Sequence, residues 1–134
     1  MDSELRVFTN GCFDILHIGH IKLLEFCRNR GRVIVGLNSD ESIRKIKGSN
    51  RPINTENNRK MLLESLRFVD QVIIFEEITP YELIKKLRPD LIVKGGDYNA
   101  SDVVGSDLAK VLIFPTVKGF STTHTAQMIE DLNG

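Results

Sequence analysis

The sequence is poor in the features that mark several protein classes. It holds two cysteines, Cys12 and Cys27, in 134 residues. Neither their number nor their spacing suits a disulfide scaffold or a zinc site, so two reduced thiols in a cytoplasmic protein are expected. Charge of one sign is not in excess, since 18 Lys and Arg balance 18 Asp and Glu. No overall field recruits nucleic acid or an anionic membrane, and any phosphate recognition must come from local groups. With no basic aromatic surface either, an RNA-binding or transcriptional role is without support. Long apolar runs are missing too, and none approaches the roughly 20 residues of a membrane span. The opening residues, MDSELRVFTNG, carry two acids among the first four and read unlike a signal peptide.

What remains is an ordinary globular balance, with 41% hydrophobic and 27% charged residues, in a chain long enough for one domain with a core. Short apolar runs alternate with helical patterns. Leu5–Thr9 reads as a strand, followed by a helix from about His20 to Asn29 with Ile21, Leu24 and Cys27 on one stripe, stopped by Gly31. Arg32–Leu37 is apolar and β-branched on consecutive positions, the pattern of a strand covered on both faces. A polar basic stretch, Asp40–Asn54, leads to a helix over Thr55–Phe68 and a third strand, Val72–Phe75. Thr79-Pro80-Tyr81-Glu82 supplies an N-cap, a Pro at the first helical position and a Glu at the third, with the helix ending near Arg88-Pro89. Leu91–Val93 and Val111–Phe114 are the fourth and fifth strands, and Ser121-Thr122-Thr123 opens a last helix through Leu132.

This alternation predicts a single α/β domain over residues 1–134, with a five-stranded parallel sheet and helices on both faces. In such sheets ligands bind beyond the carboxyl ends of the strands, where the strand order reverses. The segments to watch are therefore Asn10–His20, Asn38–Arg51, Glu76–Thr79, Lys94–Asp97 and Thr116–Thr123.

The first of these carries His17-Ile18-Gly19-His20 at a strand-to-helix junction. Two imidazoles at the mouth of a helix can point at one site, and their N–H donors suit an oxygen gaining negative charge. Gly19 lets an anion approach the backbone at the helix N-terminus. Taken singly, a histidine more often caps a helix or packs, and metal binding would need further ligands when the only other histidine is His124. Lys45 and Lys47, beside Gly48 and Arg51, sit in a loop able to close over a triphosphate or simply to face water. Arg59 either points along its helix to the site or pairs with Glu56 or Glu64. Gly95 and Gly96 permit close backbone approach to a base or sugar, or make an ordinary tight turn. Asp97 either accepts from a sugar hydroxyl or holds the fold, and the hydroxyls of Ser121-Thr122-Thr123 cap a helix or donate to phosphates.

Gly11-Cys12-Phe13-Asp14 followed by His17-Ile18-Gly19-His20 resembles the signature of the HxGH cytidylyltransferase-like nucleotidyltransferases. Asn38-Ser39-Asp40, Lys47-Gly48, Arg59, Val69-Asp70, Lys94-Gly95-Gly96-Asp97-Tyr98 and Gly119-Phe120-Ser121-Thr122-Thr123 fall in the same order as in that family, over nearly the whole chain. The resemblance implies a Rossmann-like fold and transfer of a nucleoside monophosphate to a phosphorylated small molecule, with release of pyrophosphate. It implies catalytic roles for His17, His20, Lys47, Ser121 and Thr122. Nucleotide contacts fall on Asn10, Gly11, Cys12, Phe13, Gly19, Gly95, Gly96, Asp97, Gly119, Phe120 and Thr123, and acceptor contacts on Asp14, Lys45 and Arg59. Mg²⁺ carried in by the triphosphate, no metal site on the protein, and a cytoplasmic homodimer without nucleic-acid or membrane partners complete the expectation.

Within the family, Arg51-Pro52-Ile53-Asn54, Phe75-Glu76-Glu77 and Lys94–Tyr98 resemble the adenylyltransferases that make ADP-heptose from heptose 1-phosphate and ATP. Ile21–Glu25 is similar instead to the glycerol-3-phosphate cytidylyltransferases, which use CTP. Those enzymes carry an Arg three residues before the glycine of the last motif, where this chain has Thr116, with Lys118 next to Gly119. The adenylyltransferase is thus the favoured reading. The Tyr98–Lys110 connection is shorter than in the heptose enzymes, so any helix there is short or absent. A reading from another class is a nucleotide-binding module without catalysis.

Overall fold

A computed structural model describes residues 4–115 of the chain. Five strands form one sheet: β1 (Arg6–Gly11), β2 (Arg32–Asn38), β3 (Gln71–Phe75), β4 (Leu91–Gly95) and β5 (Lys110–Phe114). All neighbouring pairs are parallel, in the order β3-β2-β1-β4-β5. The chain therefore builds outward from β1 to β3, then returns to the other side of β1 to lay down β4 and β5. The reversal lies between β1 and β4, and its crevice opens at their carboxyl ends.

The period-two alternation of a strand divides the apolar residues between two cores. Val7, Val33, Val35, Val72 and Val93 face a core shared with Leu23, Leu24, Cys27 and Leu63. The last four come from α1 (Ile18–Arg28) and α3 (Glu56–Glu64). Phe8, Ile34 and Ile92 point the other way, onto Ile84 of α4 (Tyr81–Leu87) and Val103. Cover on both faces explains the unbroken apolar runs of β2 and β4. The buried stripe of α1 uses Leu23 with Leu24 and Cys27; the expected Ile21 is only partly buried. Truncating a fully buried side chain such as Leu24 to Ala should cost about 2–5 kcal/mol.

Two aspartates pin the strand starts. Asp70 accepts from the Val33 N–H (2.8 Å) and from Arg28 (2.7 Å), tying α1 and β2 to the entry of β3. Asp90 accepts from the Arg6 N–H at 2.8 Å and fixes β4 against β1 in the same way.

Several boundaries differ from those the sequence suggests. The first eight residues of the polar stretch Asp40–Asn54 are a helix, α2 (Asp40–Lys47), capped by Ser39, whose hydroxyl accepts from the Ser42 N–H at 3.0 Å. The helix over Thr55–Phe68 is shorter, ending at Glu64, with Thr55 as its cap. Thr79 does not cap α4: Pro80 occupies the boundary without a side-chain cap. The Tyr98–Lys110 connection carries only one short helical turn, Ala100–Asp102, in line with its length. The last helix predicted from Ser121 lies outside the described residues.

Candidate active site

A cleft of about 670 Å³ lies over the β1–β4 reversal. Four of the five post-strand segments line it: Asn10–His20, then Asn38 with Lys47, then Ile78 and Thr79, then Lys94–Gly96 with Tyr98. The fifth, Thr116–Thr123, lies outside the described residues, and with it the site residues Gly119, Phe120, Ser121, Thr122 and Thr123.

The floor is built by the turn after β1. Phe13 adopts a left-handed backbone conformation (φ 46°), which folds its ring back under the strand end. A Cβ on Gly11 would come within 3.1 Å of that ring, so a larger residue at 11 would have to displace it slightly. The same ring packs against His20, with centroids 5.0 Å apart.

The two histidines cap α1 together. Nδ1 of His17 accepts from the Gly19 N–H at 3.1 Å, and Nδ1 of His20 accepts from the His17 N–H at 3.3 Å. A nitrogen that accepts cannot carry the proton, so each neutral ring is held with its hydrogen on Nε2. The rings stack at 3.8 Å with 24° between their planes, and two cations are not stable at that separation. Burial, then His17, then Lys47 pull His20 down to about 3, and burial lowers His17 from its ordinary value. The pair is thus a set of neutral N–H donors at neutral pH. Gly19 lines the cleft, but its amide is spent on His17, so the expected backbone donor to an anion is not on offer there.

Positive charge enters from two sides. Lys47, at the end of α2, and Lys94, at the end of β4, both line the cleft. Burial raises the Cys12 thiol, while Lys47, Arg59 and Lys94 pull it back, in that order. Burial also lowers the Lys94 ammonium, whose Nζ stands 5.2 Å from the centre of the Tyr98 ring. Cys12 and Cys27 are free thiols, the latter buried and raised to about 12.

Of the expected contacts, Asn10, Gly11, Cys12, Phe13, His17, Gly19, His20, Lys47, Gly95 and Gly96 come together in the cleft. Three proposed acceptor residues do not. Arg59 is fully buried, and its guanidinium donates to the carbonyls of Cys12 (2.8 Å), Asn38 (2.7 Å) and Asn54 (2.9 Å) and to Asp40 (2.7 Å). With its donors so used it is a brace behind the wall, and it pairs with neither Glu56 nor Glu64. Asp14 is buried as well, accepting from the N–H groups of Ile53 and Asn54 at 2.8 Å each. Lys45 is exposed on the far side of α2, 3.8 Å from Glu41. Asp97 lines a shallower depression with Tyr98 and Asn99 instead of the cleft itself.

Asn38, Lys94 and Tyr98, which fall in motifs of the sequence but carry no contact role there, also line the cleft. Lys94 had a signal: a lone cation directly after the apolar Leu91–Val93, at a strand's carboxyl end.

Residues 8–130 match the model of the family described as cytidylyltransferase-like. The chain belongs to that family. Relatives include the bifunctional protein HldE of Aliarcobacter butzleri, 55% identical over 127 residues that make up 93% of this chain and 27% of that protein. The bifunctional protein HldE of a Nitratiruptor species is 59% identical over 119 residues, 87% of this chain and 26% of that protein. The chain thus spans about a quarter of the length of these curated relatives. Among solved structures, a lipopolysaccharide core biosynthesis protein from Thermoplasma volcanium superposes with a TM-score of 0.71 at 29% identity, over 87% of this chain and 98% of that one. A pantoate-beta-alanine ligase from Francisella tularensis shares the fold at 18% identity and a TM-score of 0.67, over 97% of this chain and 69% of that one. The cytidylyltransferase-like fold is the Rossmann-like one expected.

Proposed function

We propose that the chain is a nucleotidyltransferase that moves AMP from ATP to heptose 1-phosphate and releases pyrophosphate. The observation that carries this reading is the stacked pair of neutral imidazoles at the β1–β4 reversal, with two lysines in the same cleft. Its choice of acceptor and base is supported by the Arg51–Asn54 and Lys94–Tyr98 stretches and by the extent of identity to the bifunctional HldE proteins.

In this mechanism an acceptor phosphate oxygen attacks the α-phosphorus in line. A new P–O bond forms as the bond to the β-phosphate breaks, and pyrophosphate leaves with its electrons. The protein's work is to position two anions and offset their repulsion. The Nε2–H groups of His17 and His20 donate to the oxygens of the transferring phosphoryl group. Lys47 and Lys94 supply the positive charge that the neutral rings do not. Ser121 and Thr122, with Gly119, Phe120 and Thr123 beside them, are assigned to the leaving phosphates as the family resemblance implies. Mg²⁺ arriving on the triphosphate adds charge neutralisation. Asp102 is the one carboxylate among the described residues lining the cleft, a donor set suited to an ion held mainly by phosphates and water. A cytoplasmic homodimer belongs to the same proposal; among the described residues no helix is long and apolar enough to cross a membrane.

The test is pyrophosphate release with Mg²⁺, crossing ATP, CTP, GTP and UTP with heptose 1-phosphate and glycerol 3-phosphate. Turnover confined to ATP with heptose 1-phosphate is expected. Turnover with CTP and glycerol 3-phosphate would replace the substrates but keep the class. Tight nucleotide binding without pyrophosphate release would make the chain a binding module.

A further inference from the structure

The cleft extends to both sides of the histidine pair, and part of its lining has no role in the phosphate chemistry. On the β4 side stand the Lys94 ammonium, a glycine backbone and the Tyr98 ring, with Val103 and Val104 of the β4–β5 connection beyond them. Gly95 itself packs on the Leu23 side chain, which a Cβ there would meet at 3.6 Å. On the β3 side two branched aliphatics stand beside Lys47 and no aromatic ring is among the described lining residues. Ile46, in the last turn of α2, is 47% exposed, and Ile78, in the β3–α4 connection, is 58% exposed. Both line the cleft with Pro80 between Ile78 and α4. A single exposed isoleucine on a protein surface is unremarkable. Two that reach one cleft from separate elements, next to a lysine, are the composition of a ligand wall.

Resting on the nucleotidyltransferase reading, we infer that Ile46 and Ile78 are the acceptor-selecting wall, packing against the C–H face of a phosphorylated sugar on the β3 side of the histidine pair. Two substrates meet at the histidines, so their bodies must extend to opposite sides. A flat base is served by the Tyr98 ring. A puckered ring with projecting C–H groups is served by branched aliphatics, while Lys47 beside Ile46 faces its phosphate. The wall then separates sugar phosphates from smaller polyol phosphates, which leave it partly wet.

The test is steady-state kinetics of Ile46→Ser and Ile78→Ser with ATP and heptose 1-phosphate, with thermal melts to confirm folding. Loss of apolar contact should raise the acceptor KM about tenfold and hold the ATP KM within about twofold. Ile78→Val should recover most of the loss. An acceptor KM that stays put, or an ATP KM that rises in its place, overturns the assignment while the unmutated protein's turnover still supports the reaction class. An unmutated protein silent with every acceptor would overturn the reading itself, and this assignment with it.

Discussion

At the scale of single residues, the site separates groups that touch substrate from groups that hold those groups still. Arg59 belongs to the second kind. It ties the turn after β1, the end of β2, the start of α2 and the Asn54 loop to one guanidinium, through the Cys12, Asn38 and Asn54 carbonyls and Asp40. Arg59→Leu leaves Asp40 and three carbonyls without that donor and should cost about 3–5 kcal/mol, read as a fall in denaturant midpoint. The chain's sequence could not reveal this role. An arginine advertises its charge, but two of its partners are backbone carbonyls 47 and 21 residues away. The histidine pair was legible, because both members sit within one turn of a helix start. Its protonation state was not, since that depends on which nitrogen accepts from the backbone. Long-range ¹⁵N correlations should show hydrogen on Nε2 and none on Nδ1 in both rings at neutral pH. Imidazolium signals would contradict the neutral-donor mechanism.

The depressed His20 also sets a stability window. An unfolded chain takes up this proton near pH 6.5, the folded ring only near 3. Between those values the unfolded state binds more protons, so this contribution is complete above pH 6.5 and is lost as pH falls towards 3. In His20→Gln the decline of Tm between neutral pH and about pH 5 should be shallower than in the unmutated protein.

Among the elements, α2 is the one the sequence hid. Asp40–Lys47 has only two apolar residues, Ile43 buried and Ile46 exposed, so it lacks the stripe that betrays a helix. Its signals were local instead: Ser39 as cap, acids in the first turn and bases in the last. Its start is anchored, with Asp40 bound by Arg59 and the Ser42 hydroxyl donating to the Glu77 carbonyl at 2.8 Å. It ends at Gly48 with φ 98° and no atom within 4 Å of where a Cβ would stand. Thus Lys47 rides on an element fixed at one end. Ser39→Ala should remove the cap and cost about 1 kcal/mol. Gly36 in β2 presents the opposite case, since a Cβ there would lie 2.6 Å from the tip of Phe8 in the sheet's second core. Gly36→Ala should lower stability by about 1–3 kcal/mol through overpacking, measurable in the same melts.

For the molecule as a whole, the order β3-β2-β1-β4-β5 puts the turn after β1 beside the end of β4. Residues more than 70 positions apart, His20 and Lys94, thereby share one cleft. This much was legible, because all-apolar strands alternating with helices admit few topologies and the ligand position follows from them. The placing of Ile46 and Ile78 in the cleft wall was not. It depends on which residues of the post-strand segments turn inward, and strand periodicity does not govern those. The account stands or falls on the histidine pair as donors in the reaction. Pyrophosphate release from ATP and heptose 1-phosphate, measured for the unmutated protein and for folded His17→Ala, tests it most directly. Turnover should fall about a hundredfold or more in the variant. Undiminished turnover in folded His17→Ala would contradict it.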